Sequence, residues 1–166
     1  TLDGGRGGTG NGGLGEIIAD GGSVSMGRTE FSVAATGGTG NAGNTNDDAD
    51  GGSAFGGSRT IEVSAGGVLN AELPLGGTGA VGGNGEGDGR GGLAAAGNNT
   101  VNVSDATLNI FGSLAITSNA TGGNGADGGT GTDGEARFDA SNAVVTFPPD
   151  ANRESVFIVD ATTPGG

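Results

Sequence analysis

The 166-residue sequence predicts an all-β fold: a parallel β-solenoid (β-helix) of about four ~40-residue repeats, with ordered Gly-rich tracts and little or no α-helix. Three observations predict it. Gly and large apolar residues are segregated along the chain: tracts 3–15, 36–59, 75–99 and 121–137 hold 34 of the 42 Gly, and only Leu14, Phe55, Leu75, Val81 and Leu93 among the large apolar residues fall inside them. The tracts recur with a similar opening, Thr36-Gly37-Gly38-Thr39-Gly40, Leu75-Gly76-Gly77-Thr78-Gly79 and Thr121-Gly122-Gly123-Asn124-Gly125. The segments between them alternate apolar and polar residues, the mark of a strand with one buried face.

Taken in order, each tract runs into an alternating segment: Phe31-Ser32-Val33, Ile61-Glu62-Val63-Ser64, Val101-Asn102-Val103-Ser104 and Val144-Val145-Thr146-Phe147. Further strands are predicted around Leu108 and Ile110, around Leu114 and Ile116, and over Ser155–Asp160. Gly66-Gly67 and Gly112 separate neighbouring strands. No Gly-free window longer than about ten residues shows a helical period. Approximate repeats of 3–35, 36–74, 75–120 and 121–166 follow, within a single repetitive segment 1–166 that is read as a slice of a longer chain or filament. No unit can bury its apolar face alone; stacked on a neighbour it can. Ile61 over Val101 over Val144 or Val145 is the expected inward column. The Gly tracts are too long for simple corners. They are expected to be ordered and stacked, as loops, as an extended face or as bundled polyproline-II helices, with Asn, Asp and Thr pairing along columns.

Composition bounds function. Gly and Pro make up 28% of the chain and Leu, Ile, Val and Phe 19%, values at which a chain folds only if a repeat or an assembly orders it. There is no His, Cys, Lys, Trp, Tyr or Gln. His-based triads, Cys nucleophiles and ordinary zinc sites are therefore excluded. A net charge of -13 with six scattered Arg argues against nucleic acid and against an anionic membrane surface. The longest apolar runs, about five residues, cannot span a bilayer as a helix, so no membrane insertion is expected. Acidity without Lys suits an extracellular location.

Few motifs carry chemistry. Gly128-Gly129-Thr130-Gly131-Thr132-Asp133-Gly134-Glu135-Ala136 resembles the nonapeptide of the RTX family, which implies calcium held by Asp133, with Asp88 in Gly82–Asp88 as the poorer candidate. Glu135 stands where that family has a large apolar residue, and the nonapeptide does not recur in tandem. Solvated carboxylates on Gly-rich segments account for the same residues. The cluster Asn46-Asp47-Asp48-Ala49-Asp50 could hold a hard cation, or could keep a loop tip in solution. Close carboxylate pairs are inevitable among 19 acids, so a polysaccharide-active β-helix enzyme is an alternative, without the Trp or Tyr platform that sugars favour. Thr36, Thr78 and Thr121 are too sparse for an ice-binding column. The Gly-x-Gly-x-x-Gly matches and the sequons at Asn98, Asn102 and Asn119 are expected by chance in this composition.

The alternation of Thr-Gly-Gly-x-Gly tracts with short Ile/Val/Leu strands over residues 3–147 resembles the repeat regions of large bacterial surface proteins, the adhesin and autotransporter-passenger type. The Gly tracts alone are also similar to mycobacterial Gly-rich repeat proteins, which lack the strand segments. The adhesin resemblance implies an extracellular, elongated, non-catalytic role at the bacterial cell surface. The expected function is a stalk, fibre or adhesin scaffold stacking into a rod. Its expected partners are further copies or repeats end to end and an unidentified surface or glycan ligand. No cofactor is expected on this reading, with Ca²⁺ the alternative as an RTX-like module.

Overall fold

The computed structural model describes residues 5–28, 30–41, 48–72, 76–148 and 156–161. It is a parallel β-solenoid of about three turns, with no helix among the described residues. Strands are numbered β1–β16 in chain order, and every fourth strand shares a sheet. The first sheet holds the two-residue strands β1 (Gly10–Asn11), β5 (Ala54–Phe55), β9 (Ala94–Ala95) and β13 (Gly131–Thr132). The second holds β2 (Leu14–Asp20), β6 (Ser58–Ser64), β10 (Asn99–Ser104) and β14 (Ala136–Ser141). The third holds β3 (Ser23–Met26), β7 (Val68–Ala71), β11 (Thr107–Ile110) and β15 (Val144–Thr146). The fourth holds β4 (Val33–Thr36), β8 (Gly76–Val81), β12 (Leu114–Thr121) and β16 (Phe157–Asp160). Pairing is parallel in all four sheets, so each rung supplies the hydrogen-bond partners of the next, about 4.8 Å away.

The alternation seen in the sequence sets which face is buried. In β10, Val101 and Val103 point inward while Thr100, Asn102 and Ser104 point out. The second, third and fourth sheets enclose one apolar core built on Ile61, Leu69, Val101, Leu108, Ile110, Leu114 and Ile116. A second, narrower cluster of Ala35, Ala54, Ala80, Ala94 and Ala120 lies between the first and fourth sheets. Side-chain size thus tapers from Leu and Ile to Ala, and then to Gly.

The predicted column needs correction. Ile61 does stack on Val101, with Ile17 below, but the residue above is Phe138. Val145 instead continues Val24, Leu69 and Leu108 in the third sheet, and Val144 lies outside that column over Thr107. Phe31-Ser32-Val33 leads into the fourth sheet. The uneven spacing of the four alternating segments arose because they came from three faces of the coil. Large apolar side chains fill both the Ile61–Val101 and the Leu69–Leu108 columns, so composition alone does not assign Val144 or Val145 to one of them.

The corner between the second and third sheets is a column in itself. Gly21, Ala65, Asp105 and Asn142 follow equivalent strand ends and have φ of 66°, 51°, 50° and 48°. A left-handed residue is needed there to turn the chain; Gly, Asp and Asn accept it readily, Ala less so.

Each turn also throws out a Gly-rich flap of two antiparallel legs. The outgoing legs (36–41, 81–86, 121–126) form one row and the returning legs (5–10, 48–54, 89–94, 127–132) a second. Within a row every third residue donates to the next rung: Gly37 N–H to Val81 O and Gly40 N–H to Asn84 O, both at 2.8 Å. Between rows the bonds zigzag up the axis, Gly38 N–H to Gly8 O, Gly52 to Gly38, Gly83 to Gly52, Gly92 to Gly83, Gly123 to Gly92 and Gly129 to Gly123, at 2.7–2.9 Å. A three-residue period with every bond made to another leg is the geometry of bundled polyproline-II chains. A Cβ on Gly83 or Gly92 would overlap the carbonyl of the leg one rung below, and one on Gly82 or Gly91 the carbonyl of the facing row, so rungs and rows can approach this closely only as Gly.

Candidate functional site at the flap and the open ends

In a three-residue period, one donor per turn of each leg points away from both neighbours and needs another partner. Asx side chains one rung below supply it. Asn84 Oδ1 accepts from Asn124 N–H at 2.9 Å, Asp50 Oδ1 from Arg90 N–H at 3.0 Å and Asp48 Oδ1 from Asp88 N–H at 3.0 Å. The expected ordering of the tracts through Asn and Asp columns holds at these positions. An Asn ladder also runs up the outside of the third sheet, from Asn109 Nδ2 to Asn70 Oδ1 at 2.8 Å, with Thr146 donating to Asn109.

The predicted metal-binding residues lie apart. Asp88 sits at the tip of a flap, where its backbone N–H is held by Asp48. Asp133 sits where the last returning leg rejoins β14, and its carboxylate accepts the Ala120 N–H at 2.7 Å. That bond meets the edge of β12 past Thr117, the last β12 residue paired with β16 among the described residues. Among the described residues, no group of three or more acidic side chains converges as a cation site. Of the acidic cluster, Asp48 and Asp50 serve the flap ladder as above; Asn46 and Asp47 lie outside the described residues. The sequon residue Asn98 is exposed and spends its Oδ1 on the Glu135 N–H at 3.1 Å.

Two features were not singled out from the sequence. The first is a column of alternating charge on the returning row: Arg6, Asp50, Arg90, Asp127. Arg6 pairs with Asp50 at 3.3 Å and Arg90 with Asp127 at 3.4 Å, and Arg6 and Asp127 stay about four-fifths and three-quarters exposed. The alternation of sign was in the sequence, but it aligns only when the unequal turn lengths are known. The second is Arg59, 2% exposed. Its Nη atoms donate to Phe31 O at 2.6 Å and Ala115 O at 3.2 Å, and its guanidinium stacks 5.3 Å from the Phe31 ring centre. Burial pulls its pKa down to about 10. Arg59 lies beside Asn99 in register, and Arg59 Nε and Asn99 Oδ1 have no hydrogen-bond partner.

The two terminal rungs differ from the inner ones. Ile61, Val101, Leu69 and Leu108 are fully buried, whereas Ile17, Val24, Met26 and Phe31 at one end, and Phe138, Val145 and Phe147 at the other, are only partly so. Phe157 packs edge-on against Phe138, with ring centres 5.2 Å apart, and tilts over Phe147 at 5.7 Å, yet remains about half exposed. Each end therefore combines apolar core atoms with a row of strand-edge groups. Comparison of the chain with protein-family models, with curated proteins and with solved structures finds no match.

Proposed function

We propose that the chain is a structural segment of an extracellular, bacterial-surface stalk, fibre or adhesin scaffold, non-catalytic, whose rungs continue into further copies or repeats. The observation that carries this reading is the pair of open ends. Inner rungs bury their inward-facing Ile, Val and Leu completely, while the end rungs leave theirs partly covered beside strand edges that have backbone donors and acceptors to offer. A neighbour of the same geometry satisfies both at once. The mechanical logic follows, because pulling along the axis loads many interchain hydrogen bonds of four sheets and two flap rows together. Surface location rests on the acidic, Lys-free composition and on the resemblance of the repeats to adhesin passengers. A surface or glycan ligand would bind along an outer face.

Negative-stain imaging of the purified chain tests the reading: long thin fibres are expected, and separate compact particles at high concentration would overturn it. The calcium alternative is tested in the same preparation. With Asp133 occupied by the Ala120 N–H, the melting temperature is expected to be the same in EDTA and in millimolar-range Ca²⁺; a chelator-sensitive melt would favour an RTX-like module instead.

A further inference from the structure

We infer that the last rung of one copy seats on the first rung of the next, head to tail and in the register of the internal rungs, with Asp127 meeting Arg6 and Arg137 meeting Glu16 across the junction. This rests on the filament reading above and specifies the contact that would build it.

The inference follows from extending each column by one step. In the returning row the column reads Arg6, Asp50, Arg90, Asp127, so the next position takes a cation, and the first residue of a second copy's column is Arg6. In the second sheet the outward column reads Glu16, Thr60, Thr100, Arg137. It begins with an exposed anion and ends with an exposed cation, neither of which has an opposite charge one rung away within the copy. Arg137 reaches only along its own strand, to Asp139 and Glu135. The same step puts Phe138 over Ile17 and Val145 over Val24 and, with the β4–β8 register carried two residues before Val33, Val159 over Phe31, all apolar, and continues the left-handed corner from Asn142 to Gly21. Head-to-tail contact keeps every ladder parallel. Head-to-head contact would turn the strands antiparallel and break all these columns at once.

The net charge of -13 opposes association at long range. Physiological salt, with a Debye length of about 8 Å, screens that term and spares ion pairs in contact. Assembly is therefore best read near physiological ionic strength.

The test uses the full chain and two substitutions at exposed positions, E16R and R137E. The parent is expected to form fibres. Each single variant sets like charges against each other at the junction and should raise the concentration needed for assembly about tenfold. An equimolar mixture of the two restores opposite charges at every junction, as does the double variant E16R/R137E, and both should assemble at the parent's concentration. Sedimentation and imaging read all five samples. If the parent assembles and the single variants assemble equally well, the proposed register is wrong while the filament reading stands. Single variants that fail but are not rescued by mixing also overturn the register. If the parent stays monomeric, both fall.

Discussion

Arg59 shows how one side chain is tolerated in a core too thin to hide it. A guanidinium taken out of water needs donors satisfied, and here two backbone carbonyls and the Phe31 face take most of that role. Arg59→Ala would strand those carbonyls and open a void. A loss of about 3 kcal/mol in urea unfolding is the expected outcome. The pH dependence has a definite sign. The folded pKa, about 10, lies below that of a solvated guanidinium, so between the two the unfolded chain binds more protons and stability rises with pH. No Lys, Tyr, Cys or His side chain titrates in that window. A melting temperature that climbs between pH 10 and 11.5 is expected; a flat profile would mean that the guanidinium keeps its proton. At the corner column, Ala65 holds φ of 51° where Asn142 and Asp105 hold nearly the same angle and hydrogen-bond to each other. Ala65→Asn should stabilise by about 1 kcal/mol, read as a higher denaturation midpoint, because Asn accepts the left-handed region and can join the ladder to Asp105.

At the scale of elements, the flap and the strands solve the same problem with different periods. A strand alternates in and out, so half its side chains can be large. A flap leg cycles through three positions, of which one faces the other row and one faces the next rung, leaving a single position per cycle for a side chain. That is why Thr, Ser, Asn, Asp and Arg alternate with Gly pairs in the tracts. The two kinds of Gly can be told apart by experiment. Gly83→Ala would drive a methyl into the Gly38 carbonyl and should cost roughly 3 kcal/mol or more, whereas Gly128→Ala meets nothing within 4 Å and should change stability by less than about 0.5 kcal/mol. Equal losses at the two sites would refute the bundled geometry.

For the whole molecule, stability and the proposed assembly would be one property seen at two places. Inner rungs are complete because each has neighbours on both sides; the ends are incomplete by the same geometry. Covering them with a further rung buries Ile17, Val24 and Phe31 at one end and Phe138 and Val145 at the other. Fibres should accordingly melt at a higher temperature than dispersed chains, and the melting temperature should rise with protein concentration. Calorimetry over a dilution series measures this, and a concentration-independent midpoint would count against end-to-end contact.

The sequence by itself determined the class of fold and the partition of roles. Period-two alternation in Ile61–Ser64 and Val101–Ser104 fixed strands with one buried face, and the Gly segregation fixed where large side chains could not go. Both are local properties, legible because strand and flap periods differ. Only the tertiary structure decided which residues stack. Turns of unequal length placed Phe138, and not Val144, above Val101, brought Asp127 into line with Arg90, and turned Asp133 towards the backbone of β12 at Ala120. Register is a relation between residues some forty positions apart, and where neighbouring inward columns share the same large apolar residues, as Ile61–Val101 and Leu69–Leu108 do, only the closure of corners and flaps selects it.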